Sequence, residues 1–214
     1  MLTRYDRPVI VLAAAFSGVA GFVDAIGFLL TGGFFVSFMS GNTTRLAIGL
    51  AEGSAAAGYA SALIALFVGG VVLGTLAGRW RPARRHSAIL LLVTLLLAVA
   101  AVLHALGAGN IVVIPMVLAM GAENTVFAED GEVRIGLTYM TGTLVKLGKR
   151  ITVALLGGDR FGWAPYLALW LGLLAGAVAG ALTFAQVGAN ALWAAVGAMA
   201  ILTALAARMD LGAH

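Results

Sequence analysis

Residues able to bind or carry something stand in the middle of apolar sequence, and they stand there twice. Val36-Ser37-Phe38-Met39-Ser40-Gly41-Asn42-Thr43-Thr44-Arg45-Leu46 is echoed by Leu137-Thr138-Tyr139-Met140-Thr141-Gly142-Thr143-Leu144-Val145-Lys146-Leu147, with eight of the eleven positions identical or conservatively exchanged. A short helix opened at such a break aims unpaired N–H groups and its positive dipole end at an anion or a carbonyl oxygen. Ser40, Gly41, Asn42 and Thr43, with Tyr139, Thr141, Gly142 and Thr143, therefore read as a substrate cradle for a small polar solute. Arg45 and Lys146 each follow their motif glycine by four residues. They read as cationic partners for an anionic group or as counter-ions to buried carboxylates. The competing reading is that both side chains reach along apolar surface toward lipid headgroups.

Two carboxyls belong to the same pattern. Asp24 lies about sixteen residues into the first apolar run. A bare charge at such depth costs at least about 2.5–3.5 kcal/mol, so it must be paired, solvated by a cavity or protonated. It reads either as a proton- or cation-binding site or as a structural carboxylate capping the amides of the motif. Asn124 is its partner in the second half, with Glu123 beside it as a second proton-binding candidate and Asn124 itself as a substrate ligand.

The elements that must hold these groups are membrane helices. The chain has 214 residues, 62% hydrophobic and 10% charged, against about 45–50% and about 25% in soluble domains. Apolar runs occur at 8–30, 55–78, 87–106, 108–128, 162–186 and 188–208, each long enough to cross a bilayer. The first is expected to stay uncleaved, because it runs through Asp24 toward the motif. Cysteine is absent, which excludes disulfides, thiolate metal sites and cysteine catalysis. The net charge of +4 is explained by membrane topology and gives no case for nucleic acid.

Two motif-bearing segments remain, 31–52 and 135–154, and charge decides how they sit. If both cross, the thirteen basic residues divide five to seven, with Arg45 inside a span. If each enters and returns to the same face, twelve of the thirteen share one side, which the positive-inside rule makes cytoplasmic. The expectation is an all-α integral membrane protein of two inverted repeats, 1–107 and 108–214. Each repeat has three transmembrane helices and one interrupted, half-inserted segment. Both termini are then cytoplasmic, in a bacterial inner membrane.

Gly32-Gly33, Gly136 and the motif glycines break the two segments. Ser40, Asn42 or Thr43, and Thr141 or Thr143, are the expected N-caps of short helices after the breaks. Gly70, Gly74 and Gly78 recur as Gly172, Gly176 and Gly180, a close-packing stripe that serves the half-helices or a homodimer seam. Arg79-Trp80-Arg81-Pro82-Ala83-Arg84-Arg85-His86 reads as an anchor touching anionic lipid. His86 and His104 read as interfacial residues. No nucleotide loop, metal signature or nucleophile elbow is present, so neither an enzyme nor a cofactor is expected.

The stretches Asp24-Ala25-Ile26-Gly27-Phe28, Phe38-Met39-Ser40-Gly41-Asn42-Thr43 and Tyr139-Met140-Thr141-Gly142-Thr143 resemble the YoaK-like family of bacterial membrane proteins over nearly the whole chain. The resemblance implies six spans and a suspected role in moving small molecules. It also implies an amide ahead of Asn124, where this chain has Glu123, so a site at Glu123 would be particular to this member. The sequence thus reads as a transporter of a small polar or anionic solute, with a proton on Asp24 or Glu123 as its coupling. A passive channel and a non-transporting scaffold subunit remain the alternatives.

Overall fold

The computed structural model describes residues 7–129, 132–133 and 136–209. Arg4 and Arg134, which entered the charge count, lie outside the described residues. The helices are α1 (Arg7–Leu30), α2 (Met39–Glu52), α3 (Ala55–Trp80), α4 (Arg85–Ala105), α5 (Val113–Glu123), α6 (Met140–Leu155), α7 (Ala164–Val187) and α8 (Leu192–Ala206). Short 3-10 turns, Pro82–Arg84, Gly109–Val112 and Gly188–Ala191, lead into α4, α5 and α8. Strands β1 (Ala128–Glu129) and β2 (Glu132–Val133) form a two-residue antiparallel pair.

Arg7–Leu30, Ala55–Trp80, Arg85–Ala105 and the run Ala164–Ala206 are long and apolar enough to cross a membrane, and Gly109–Glu123 is a shorter apolar helix. Gly188 divides the Ala164–Ala206 run into α7 and α8 with a φ of 59°, a conformation that glycine takes without a Cβ penalty. Phe16, Ile26, Leu90, Leu97, Met116, Met120 and Leu169 fill the core, while Val72, Leu76, Leu91, Leu95, Val178 and Leu182 face outward. Apolar side chains on both the packed and the outer faces suit helices whose solvent is hydrocarbon.

Two expectations need correction. The fourth apolar run was expected to continue to residue 128, but its helix ends at Glu123. The reason is local competition: Asn124 Nδ2 donates to the Met120 carbonyl and Thr125 Oγ1 to the Ala122 carbonyl, offering the backbone a turn instead. The expected N-caps also fail. The short helices begin at Met39 and Met140, after Phe38 and Tyr139, with no side-chain cap. Thr43 Oγ1 instead bonds the Met39 carbonyl and Thr143 Oγ1 the Tyr139 carbonyl, so these hydroxyls lie inside the helix and satisfy the turn before them.

Glycines set how the long helices cross. α1 packs on α7, and α5 packs on α3. A Cβ at Gly176 would overlap the Gly18 carbonyl oxygen, and one at Gly180 would meet Phe22. On the other crossing, Gly70 faces Leu118 and Gly74 faces Ala122. The stripes are therefore used within the chain. They are also related one helical turn away from the pairing that the sequence echo implied. Gly70 and Gly74 do for α5 what Gly176 and Gly180 do for α1, while Gly78 meets the side chains of Arg85 and Ile89.

Adding a methyl group at a backbone-to-backbone crossing forces the helices apart, at about 1–3 kcal/mol. Gly176→Ala is expected to lower the thermal unfolding temperature in detergent. Gly197→Ala, where a Cβ would meet nothing within 4 Å, is expected to leave it unchanged or raise it, since alanine is the better helix former by up to about 1 kcal/mol. Equal behaviour of the two variants would contradict the close approach.

Candidate functional site

The first break is built by side chains that stand in for a missing partner strand. α1 ends as Thr31 Oγ1 bonds the Gly27 and Phe34 carbonyls at 2.8 and 2.7 Å and accepts the Phe34 amide at 3.0 Å. Gly33, at φ 113°, turns the chain where Arg45 Nη2 would lie 2.8 Å from any Cβ. The chain then runs without helix through Phe35, Val36 and Ser37, bending at the last two. Asn42, fully buried, grips Phe35 on both backbone groups: Nδ2 donates to its carbonyl at 2.7 Å, and Oδ1 accepts its amide at 3.0 Å. Asp24 Oδ1 accepts the next two amides, Val36 at 2.9 Å and Ser37 at 2.8 Å. Three consecutive N–H groups that hydrocarbon would leave unpaired are thus met by two side chains.

The second break is held by different bonds, to carbonyls and to a side-chain hydroxyl. Ser17 Oγ, buried on α1, donates to the Leu137 carbonyl at 2.8 Å and lies 3.2 Å from the Leu169 carbonyl. Thr138 Oγ1 donates to Asn124 Oδ1 at 3.1 Å. Asp24 and Asn124 thus each bond residues ahead of the short helix of their own half, Asp24 through backbone amides and Asn124 through the Thr138 hydroxyl. Thr143, at the position of Asn42, bonds only its own turn.

The two breaks meet. A cavity of about 330 Å³ is lined by Ser37, Phe38, Met39 and Ser40 from the first, and by Thr138, Tyr139, Met140, Thr141 and Gly142 from the second, with Phe67 of α3 beside them. The first turns of α2 and α6 both border it, and neither carries a side-chain cap. Five hydroxyls (Ser37, Ser40, Thr138, Tyr139 and Thr141) share it with the aromatic face of Phe38. Gly41 has a steric role nearby, since a Cβ there would strike the rings of Phe35 and Phe38.

The expected site residues thus divide into groups. Ser40, Tyr139, Thr141 and Gly142 line the cavity; Asn42 and Asp24 fasten the non-helical backbone beside it, and Asn124 holds the Thr138 hydroxyl. Thr43 is exposed on α2, and Thr143 is buried on α6. Arg45 stacks its guanidinium 4.8 Å above the Phe34 ring. It borders a separate open pocket with Gly41, Thr44 and Glu52. Lys146 is exposed on α6. Among the described residues neither base forms an ion pair with Asp24 or Glu123. Glu123 is fully buried, and neither carboxyl oxygen has a hydrogen-bond partner. Ser17, Ser37, Phe67 and Thr138 were not singled out. Ser37 and Thr138 were visible in the repeat, while Ser17 and Phe67 carry no local signal.

Long apolar helices around a polar, non-helical centre define a helical membrane protein. The chain belongs to the DUF1275 family, described as proteins of unknown function, whose model matches residues 12–205. It is 40% identical over 200 residues to the UPF0700 transmembrane protein RA0705 of Rhizobium meliloti (strain 1021), covering 91% of this chain and 84% of that one. No solved structure is a significant match.

The fastening role makes a prediction about shape and charge. Asp24→Ala strands two buried amides and is expected to destabilise the protein by at least about 2 kcal/mol. Asp24→Asn keeps an acceptor oxygen and should cost about 1 kcal/mol. Thermal or denaturant unfolding in detergent separates the two. Equal losses would mean that the oxygen's hydrogen bonds are not what matters.

Proposed function

We propose that this protein, a YoaK-like member of its family, is a membrane transporter of a small polar or anionic solute. Its binding site is the cavity where the two motif segments meet. The observation that carries the reading is the shared lining, Ser37–Ser40 from one break and Thr138–Gly142 from the other. A volume of about 330 Å³ lies at the small end of ligand pockets, about 300–1,000 Å³. Hydroxyls that donate or accept favour a carbonyl, carboxylate or similar group, since in the first turns of α2 and α6 the Met39, Gly41 and Met140 amides are already bonded to backbone carbonyls. Among the described residues no His, Asp, Glu or Lys lines the cavity, so binding fits it better than catalysis.

The same reading takes residues 1–107 and 108–214 as inverted repeats that rock against each other, each with three spans and one half-inserted segment. Two observations support it. Packing is exchanged between the halves, α1 on α7 and α5 on α3. Thr94 of α4 also touches Thr203 of α8 through their hydroxyls at 3.2 Å, the kind of self-pairing found on a two-fold axis. Both termini then face the cytoplasm of a bacterial cell.

Of the two carboxyls, we assign proton coupling to Glu123. Asp24 is committed to two amides, whereas Glu123 has no fixed partner and is free to exchange a proton whenever opening admits water. It sits beside Asn124, which holds the cavity residue Thr138.

Thermal stabilisation over a metabolite panel, followed by flux in proteoliposomes, tests the proposal, since a ligand of the native state raises apparent stability. Ser40→Phe and Thr141→Phe, on opposite walls, should each reduce stabilisation and flux at least about tenfold, or 1.4 kcal/mol. Glu123→Gln keeps the shape without titrating, so it should retain exchange and lose accumulation driven by a pH gradient. Full accumulation in that variant would remove Glu123 from the mechanism. Non-saturating, gradient-independent flux would make the protein a channel. Absence of flux beside a fixed protein partner would make it a scaffold.

Orientation has its own check, because the chain contains no cysteine. Single cysteines at Ser54 and Asp159 are expected to label from opposite faces, Ser54 from outside. Labelling of both from one face would overturn the inverted arrangement.

A further inference from the structure

At the end of α3, away from the motif cavity, the chain turns into α4 through four arginines, Arg79, Arg81, Arg84 and Arg85. Two of them, Arg79 and Arg85, line a pocket of about 600 Å³ together with Val71, Thr75, Pro82 and Thr125. Among the residues whose side chains are described no carboxylate lines it, and neither arginine is in an ion pair with one of them. Arg85 is positioned. Its Cγ lies where a Cβ on Gly78 would come within 3.0 Å, and its Nη2 is 3.4 Å from the Thr125 carbonyl. One guanidinium is thus partly anchored to the backbone, with donors left over. Trp80, 88% exposed, stands beside the pocket, as tryptophans do at the level of lipid headgroups.

The charge is a feature of this half alone. Thr94 and Thr203, 109 residues apart, face each other. Counting from that pair, Ala194 occupies on α8 the place of Arg85 on α4. That position on α8 therefore carries no charge. A pocket lined by Arg79 and Arg85 together with Val71 and Pro82 suits a phosphate on a hydrocarbon stem.

We propose that this pocket binds the headgroup phosphate of an anionic membrane phospholipid. Arg79 and Arg85 pair with the phosphate, and the start of an acyl chain lies along Val71 and Thr75. Guanidinium–phosphate pairs are among the stronger charge-assisted contacts. A pocket fixes one lipid where a bare basic surface attracts many.

Detergent-purified protein titrated with phosphatidylglycerol, phosphatidylcholine or soluble glycerol phosphate provides the test, read as apparent unfolding temperature. Phosphatidylglycerol is expected to raise it by about 4 °C over phosphatidylcholine, and glycerol phosphate to leave it unchanged. Arg79→Gln/Arg85→Gln should lose most of that rise, while Arg81→Gln/Arg84→Gln, outside the pocket, should keep it. Thr75→Trp, which fills the pocket and leaves every charge in place, should also lose it. Equal responses to the two lipids would overturn the proposal. So would retention of the rise in Arg79→Gln/Arg85→Gln or Thr75→Trp. An equal loss in Arg81→Gln/Arg84→Gln would reduce the effect to a general surface field and refute a site. A full response to glycerol phosphate would make the ligand a soluble anion and refute the lipid.

Discussion

Non-helical backbone within an apolar bundle must find its hydrogen bonds inside the protein, and this requirement organises the centre of the molecule. Each unmet amide would cost kilocalories in a medium that offers no water. The chain meets the need with a few short polar side chains from neighbouring helices. Asp24 and Asn42 hold Phe35, Val36 and Ser37 in the first half. Ser17 and Asn124 hold Leu137 and Thr138 in the second. Because these bonds fix where the non-helical segments end, they also fix where α2 and α6 begin. The cavity between the two segments follows from that placement.

The fastening depends in turn on how closely the long helices approach. Ser17 reaches the Leu137 carbonyl across 120 residues of sequence only because α1 lies against α7 and brings the two halves together. That approach needs glycine, since a single methyl at Gly176 or Gly21 would meet backbone of the facing helix. In a membrane, where apolar burial gives little preference for helix over lipid, such contacts and the polar bonds between helices supply much of the association. Small residues and buried polar groups thus act together, the first permitting the geometry and the second locking it.

The two motif segments echo each other in sequence and differ in detail. Asn42 grips a backbone residue with two bonds, while Thr143 bonds only its own turn. Arg45 is folded onto Phe34, while Lys146 is exposed. Glu123 stands unpartnered where the first half has the core residue Val23. The cavity draws on both motifs.

Much of this was legible in the residues themselves. Apolar runs long enough for hydrocarbon marked the long helices to within a few positions, because burial in lipid imposes length and composition on each helix separately. The paired motifs likewise announced two polar breaks, and Ser40, Tyr139, Thr141 and Gly142 do line one cavity. Other features were decided by contacts between distant segments. The early stop of α5 came from Asn124 and Thr125 bonding back to their own helix, a competition that apolar composition does not reveal. The one-turn shift between the glycine stripes came from which carbonyls α1 and α5 present. Asp24 and Asn42 look like ligands in the sequence because polar side chains in apolar runs are costly. The folded chain spends both on its own amides, since no water is there to meet them.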